Sequence, residues 1–313
     1  MFRIVEKRRW YFLLSAVIIV PGLIAMIYSM ITLGAPFKLA IDFTGGSVWQ
    51  MGFEQPVQPA ELRQVFVDQN INDPAVTTLG QGNALQVRVK PLDETEKAAL
   101  TEAITAKFGK FDELLYSSVG PAIGREVTQA AFLAILGASI AILGFMVFAF
   151  RKVPNAIRYG ACAVLAMLHD LLLTMGVFSI LSLLFGWEAD ALFLTALLTV
   201  ISFSMQDTIV VFDRIRENSP KYRGESFSAI ANRSVMETIH RSLATQLNAI
   251  FIMVAILLFG GATIKHFIAI MLIGLISGTY SSIFNAVPLL VGWTERNLLG
   301  NKSDAAPAAV QTV

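Results

Sequence analysis

Gln206-Asp207-Thr208-Ile209-Val210-Val211-Phe212-Asp213-Arg214-Ile215-Arg216-Glu217-Asn218 begins as membrane-grade apolar sequence and ends as a cluster of charges. Asp207 stands on the apolar side of that boundary, more than a helical turn before Asp213 and Arg214. An acid in hydrocarbon costs roughly 2.5–3.5 kcal/mol on insertion scales unless it faces protein or water. Two readings are open. Asp207 is an acid snorkelling to a nearby interface, since the apolar run ends at Phe212, or a protonatable group whose charge changes between conformations. Ser204, three residues earlier, and Thr208 are placed to hydrogen-bond it.

Composition agrees with a membrane setting. The chain of 313 residues is 55% hydrophobic and 15% charged, against about 25% charged in soluble proteins. Uncharged or nearly uncharged runs long enough to span, at about 20 residues per crossing, are Trp10–Leu33, Val127–Phe150, Tyr159–Phe185, Ala191–Phe212, Ser242–Ala262 and Phe267–Trp293. The first run, uncharged as far as Phe37, is too long for a cleavable signal and reads as a retained anchor helix. Lys7, Arg8 and Arg9 precede span one; Arg151, Lys152 and Arg158 fill the turn after span two; Arg214, Arg216, Lys221, Arg223, Arg233 and Arg241 populate the loop after span four. By the positive-inside rule these segments and both termini are cytoplasmic. The expected organisation is residues 1–33 as terminus and first span, 34–126 as an extracytoplasmic domain, 127–293 as the remaining bundle, and 294–313 as a disordered tail.

Within 34–126, Lys38–Phe53 alternates and reads as strand with a Gly45-Gly46 break. Pro59–Asn70 has helical spacing, and Ala75–Leu79 and Ala84–Val89 are strands joined by the turn residues Gly80 to Asn83. Asp93–Phe108 is helical with acids early and Lys107 late, and Phe111–Val119 is a last strand. The order β-α-β-β-α-β is ferredoxin-like. The fold class expected is thus an α-helical polytopic membrane protein of six spans with an α+β ferredoxin-like domain. In the cytoplasmic loop 214–241, Phe227, Ile230, Ala231, Val235 and Ile239 recur at helical spacing behind a candidate cap, Ser226, and predict an amphipathic helix lying on the membrane surface before span five.

Other candidates follow from charge at depth and from small residues. Arg241 opens span five at the depth of Asp207, either as its partner or as an ordinary anchor. His169-Asp170 lies mid-span, with no other charge between Tyr159 and Phe185; either residue is the titrating one, or the two are a satisfied interior pair. Neighbours on a helix point about 100° apart, so the two are not expected to face one partner. Gly274, Gly278, Ser281 and Asn285 form one stripe of span six, with Gly274 to Gly278 a GxxxG pattern; it reads as a packing seam, with sliding as the functional alternative. No His or Cys spacing supports a metal, no phosphate loop or hydrolase motif is present, and no cofactor or nucleic-acid signature appears. The single cysteine, Cys162, lies in an apolar run.

Three stretches carry a resemblance. Ile41-Asp42-Phe43-Thr44-Gly45-Gly46, Ser118-Val119-Gly120-Pro121-Ala122-Ile123-Gly124-Arg125-Glu126, and Asp207 through Asn218 resemble motifs of the SecF family of the bacterial SecD–SecF protein-translocation complex, a branch of the RND-type transporters. The resemblance covers Trp10 to about Trp293. It implies a non-enzymatic subunit of the cytoplasmic membrane that pairs with SecD, associates with the SecYEG channel, and uses the proton gradient to promote export and release of unfolded precursor proteins. It also implies proton movement at Asp207 and Arg241, and a signature role for Asp213, Arg214, Arg216, Glu217 and Asn218. Gln206 stands where the family usually has Asn. Spans five and six lack an acid, so a further carboxylate is expected from His169-Asp170 or from the partner. A small-molecule antiporter half and a non-transporting scaffold are the competing readings.

Overall fold

The computed structural model describes residues 4–79, 83–151 and 155–298. The turn residues Gly80 to Gly82, Lys152 and the tail beyond Leu298 lie outside the described residues. The chain divides into two compact units, one of Met1–Lys38, Ala134–Trp187 and Leu192–Val313, the other of Leu39–Leu133 and Glu188–Ala191.

The first unit is a helix bundle. A 3-10 turn Val5–Lys7 leads into α1, Arg8–Leu33, which Gly34 closes in the left-handed conformation at φ 75. Between α1 and the bundle's next helix, α2 (Ile41–Thr44), α3 (Pro59–Asp68) and α4 (Glu94–Phe108) belong to the other unit. The bundle resumes at Ala134 within α5 (Pro121–Ala149), whose first part belongs to the other unit, and continues with α6 (Ala156–Phe185), α7 (Ala191–Lys221, from Leu192 on) and α8 (Phe227–Phe259). The last span is α9 (Ala262–Ser281), a π-helical turn Ser282–Ala286, and α10 (Val287–Thr294). Among the described residues six helices are long and apolar enough to cross a membrane. Apolar side chains such as Ile24, Ile31, Ile140, Phe148, Phe251 and Leu258 are exposed on α1, α5 and α8, while Asp170, Asp207, Ser204, Ser277, Ser281 and Gln246 are buried. A polar interior under an apolar surface is stable in lipid, where the hydrocarbon accepts the outer side chains and only the interior polar groups need partners.

Several helices outrun their apolar stretches. Span two begins at Pro121 rather than Val127, and α7 continues past Phe212 to Lys221. The surface helix expected before span five is not separate. It is the first part of the 33-residue α8. No Gly or Pro interrupts Phe227 to Phe259, so nothing turns the backbone, and the rod is roughly 50 Å long at 1.5 Å per residue. Ser226 caps it by accepting from the Ala229 N–H at 3.3 Å.

The second unit is a four-stranded antiparallel sheet, order β2-β3-β1-β4, from β1 (Gly46–Phe53), β2 (Ala75–Leu79), β3 (Ala84–Val89) and β4 (Phe111–Val119). Alternate residues Trp49, Met51 and Phe53 of β1 and Leu85, Val87 and Val89 of β3 face one way and close over Leu62 and Phe66 of α3 and Leu100 and Ile104 of α4. The stretch before β1 departs from the expected strand: Ile41–Thr44 is one helical turn, and pairing starts only at Gly46. Gly45 sits at φ 71, where a Cβ would also meet Pro121 Cα at 2.9 Å, and a Cβ on Gly124 would meet Phe43 O at 2.8 Å. The two glycines let the turn Ile41–Thr44 lie directly on the start of α5. Asp42 accepts from the Ala191 N–H at 2.8 Å, and Thr44 donates to Ala40 O at 3.2 Å. Gly46, at φ 123, lies close against Val89 O, whereas Gly120 has open space around it and Glu126 is exposed.

Helix α4 begins with a capping box: the Asp93 carboxylate accepts from the Glu96 N–H at 2.7 Å and Glu96 accepts from the Asp93 N–H at 3.1 Å. The Thr95 hydroxyl and then the Glu96 N–H hold Asp93 below the usual carboxylate range, and Lys90 and then the Asp93 N–H do the same for Glu96. Both folded values lie below the unfolded ones, so this stabilisation is present above about pH 4 and is lost as pH falls through the folded values. Hydrogen exchange is therefore expected to show the α4 amides losing protection as pH falls below about 4, and Asp93→Ala to flatten that dependence. An unaltered pH profile in the variant contradicts the assignment.

Candidate functional site

The bundle interior holds two carboxylates at different places. Asp170, on α6, is 0% exposed. Its Oδ2 accepts from Ser204 of α7 and Ser281 of α9, each at 2.6 Å, and its Oδ1 from Ser277 of α9 at 2.6 Å. His169 Nδ1 lies 3.0 Å from the same Oδ1, and His169 Nε2 lies 3.0 Å from the Asn285 amide nitrogen on the π turn. Asn285 in turn holds Ser15 of α1. As expected, His169 and Asp170 share no third partner: their side chains bond each other and meet different residues of the last span, Asn285 for His169 and Ser277 with Ser281 for Asp170.

The small-residue stripe explains how α9 comes close enough. A Cβ on Gly274 would meet Val200 Cγ2 at 2.1 Å, and one on Gly278 would meet Ser204 Cα at 3.1 Å. The absent side chains bring the α9 backbone onto α7, and Ser277 and Ser281 then project to the Asp170 oxygens. Ser281 and Asn285 of the stripe are thus ligands of the pair, while the two glycines seat the helix.

Asp207, on α7, is 3% exposed, and its Oδ2 accepts from Gln246 Nε2 of α8 at 2.6 Å. Neither expected partner on its own helix serves it. Ser204 is committed to Asp170, and Thr208 donates to Ser204 O at 2.9 Å. Arg241 is not its partner either. The α8 face that meets α7 carries Ser242 and Gln246, one turn apart and buried, while Arg241 is rotated out and exposed. It lines an open groove with Asp213, Arg214, Glu217 and Glu237.

The signature after Phe212 ties α7 to α8. Asp213 pairs with Arg216 at 2.6 Å and Arg214 with Glu217 at 2.8 Å along α7, and Arg214 crosses to Glu237 at 2.5 Å. Buried Asn218 donates to Ser234 at 3.0 Å and to Glu237 at 2.9 Å. Exposed ion pairs contribute about 0–1 kcal/mol each, so the buried Asn218 bridge does most to fix the two helices. Among the described residues no three His, Cys, Asp or Glu side chains group as metal ligands.

Ser15, Ser277 and Gln246 were not singled out from the sequence. Ser277 had a signal, one turn before Ser281 on the same stripe, and Gln246 had another, an amide inside an apolar run. Ser15 had none, because its role depends on how α1 meets the π turn.

Six helices long and apolar enough to span, a four-stranded α+β unit after the first, and acids buried among the helices define a polytopic membrane protein with one sizeable domain between its first two spans. Residues 99–296 match the family described as "Protein export membrane protein SecD/SecF, C-terminal", and residues 31–57 match the "SecD/SecF GG Motif". The chain is 46% identical to the protein translocase subunit SecF of Thermobaculum terrenum, over 100% of both chains, and 46% identical to that of Anaerolinea thermophila, over 94% of each. It superposes on the crystal structure of SecDF of Thermus thermophilus, described as a translocon-associated membrane protein, with TM-score 0.77 and 29% identity, covering 94% of this chain and 39% of that one. A second SecDF structure, in the super-membrane-facing form, gives TM-score 0.64 at 28% identity. The chain belongs to the SecD/SecF family of protein-export membrane proteins, on its SecF side, and is a multi-pass, non-enzymatic translocase subunit. It spans about two-fifths of the solved SecDF chain, 39%.

Removing one donor from a buried carboxylate costs about 1.5–3 kcal/mol. Ser281→Ala therefore lowers the thermal stability of the bundle in detergent, while Ser219→Ala, whose hydroxyl only bonds its own helix at Ile215 O, leaves it nearly unchanged.

Proposed function

We propose that this subunit couples proton entry to protein export, with Asp207 as the coupling acid and Asp170, with His169, as a second charge-changing group. The observation that carries the reading is the ligand set of the two buried carboxylates. Among the described residues neither pairs with Lys or Arg; amide, hydroxyl and imidazole groups hold them. A carboxylate held by neutral donors can take a proton without breaking an ion pair, and its charge is costly enough in a dry bundle to bias conformation. Arg241, free of Asp207 here and close to the same helix pair, is available to meet it in another conformation.

In this reading residues 34–126 lie outside the cytoplasmic membrane, and both termini and the 214–241 segment lie in the cytoplasm, as the Lys and Arg distribution favours. SecD is the partner that completes the bundle, which the family assignment and the SecDF structures support. Association with the SecYEG channel and action on unfolded precursors belong to the same proposal. The α7–α8 staple around Asn218 would transmit a change at Asp207 and Gln246 to both helices together.

Precursor translocation into energised inverted vesicles, with SecD present, tests this. Asp207→Asn abolishes the proton-gradient-dependent part of export and leaves complex assembly intact. Unchanged gradient dependence in that variant removes Asp207 from the coupling.

A further inference from the structure

In a neutral imidazole one ring nitrogen donates and the other accepts. Asp170 offers His169 an acceptor at Oδ1, so the ring proton belongs on Nδ1, 3.0 Å away. Nε2 is then an acceptor, and the atom facing it at 3.0 Å is the Asn285 amide nitrogen, a donor. The rest of the Asn285 amide meets a single hydroxyl: Nδ2 is 2.9 Å from Ser15 Oγ, and Ser15 Oγ is 3.2 Å from Oδ1. A hydroxyl both donates and accepts, so Ser15 can serve either orientation of that amide. The imidazole is 13% exposed where Asp170 is 0%. Its open side lies in a pocket of about 180 Å³ floored by Ser15, His169 and Asn285 and walled by Phe12, Leu165 and Leu289. Asn285 also sits on the π turn, a backbone form concentrated at functional sites.

We propose that Asn285 is the positioning residue of a proton relay that runs from this pocket through the His169 ring to Asp170. A proton arriving in the pocket as hydronium bonds Nε2 and leaves water behind, and the proton on Nδ1 passes to Asp170 Oδ1. The ring ends neutral, now protonated at Nε2, and the carboxylate ends neutral; one proton has moved inward and nothing else is consumed. The Asn285 amide turns over, so that Oδ1 accepts from Nε2–H while Nδ2 donates to Ser15. Both end states are fully hydrogen-bonded. In the second, Asp170 Oδ1 carries a proton and no longer accepts from Ser277 as a carboxylate, so the α9 seam feels the change.

The neighbouring elements add no competing charge at the ring. Asp207 of α7 is turned to Gln246. Tyr280 of α9 donates to the Tyr11 backbone oxygen of α1 at 2.8 Å. Arg8 and Arg9 open α1 about two turns from Ser15, Lys265 lies about three turns before Ser277 on α9, and α10 contains no charged residue. This inference rests on the proposal that Asp170 changes charge.

The test is nitrogen-15 NMR of labelled histidines in the full chain bound to SecD, with His169 assigned by His169→Gln. The native ring is expected to carry its proton on Nδ1 and none on Nε2. Asn285→Asp has the same shape but only acceptors, and it converts the ring to the doubly protonated form. Asn285→Leu leaves the proton on Nδ1. In both variants gradient-dependent export falls about tenfold or more, as loss of an orienting partner does elsewhere. A native ring protonated on Nε2 with Nδ1 bare overturns the proposal, as does an Asn285→Asp spectrum identical to the native one. Full export in Asp170→Asn would instead sink the coupling role of Asp170 and leave the ring assignment standing, so the two failures are separable.

Discussion

A carboxylate inside an apolar helix bundle has to be met by donors that the neighbouring helices bring to it, and the bundle of this protein is built around that requirement at Asp170. Three serine hydroxyls from two helices and one imidazole reach its two oxygens. The two from α9, Ser277 and Ser281, arrive because Gly274 and Gly278 lack the bulk that would hold α9 away from α7. Packing and polarity are therefore one constraint here. The seam that permits close approach is also the seam that carries the donors, so a change in the charge of Asp170 acts directly on helix packing.

Asp207 sits in a simpler environment, about one turn along α7 from Ser204. One amide, Gln246, reaches it from α8, and a turn or more along, the Arg214–Glu237 pair and the Asn218 bridge fasten the same two helices. Asp170 is held from α7 and the last span and Asp207 from α8, so the two acids have different partners. The signature run from Asp207 to Asn218 thus combines one buried ionisable group with the hardware that locks its helix to the next.

The fold was largely legible because its physical signals are local. Long apolar runs gave the spans, alternation gave β1, the turn residues Gly80 to Asn83 marked β2 and β3 on either side, and the early acids of Asp93–Phe108 and Ser226 announced helix starts. What was misread depended on things the local pattern lacks. The change from apolar to polar residues at Phe212 and before Ser242 ends the hydrocarbon zone without ending the helix, so α7 and α8 run on and the expected surface helix vanishes into α8. The Ile41–Thr44 turn is helical because it must lie against the start of α5, a tertiary demand. At the site, the ionisable residues were visible from their cost in hydrocarbon, but their partners were not. Arg241 lies roughly 7.5 Å along α8 from Gln246, beside Asp213 and Arg214 and off the face that meets Asp207; Ser204 is on the right helix but serves the other acid.

The central claim is that Asp170 and Asp207 change protonation while remaining inside the bundle. Infrared difference spectra of the complex with SecD, recorded across a pH step, read this through the carbonyl stretch of protonated carboxyl groups. The account predicts two such bands, one removed by Asp170→Asn and the other by Asp207→Asn. Spectra in which neither substitution removes a band would contradict it.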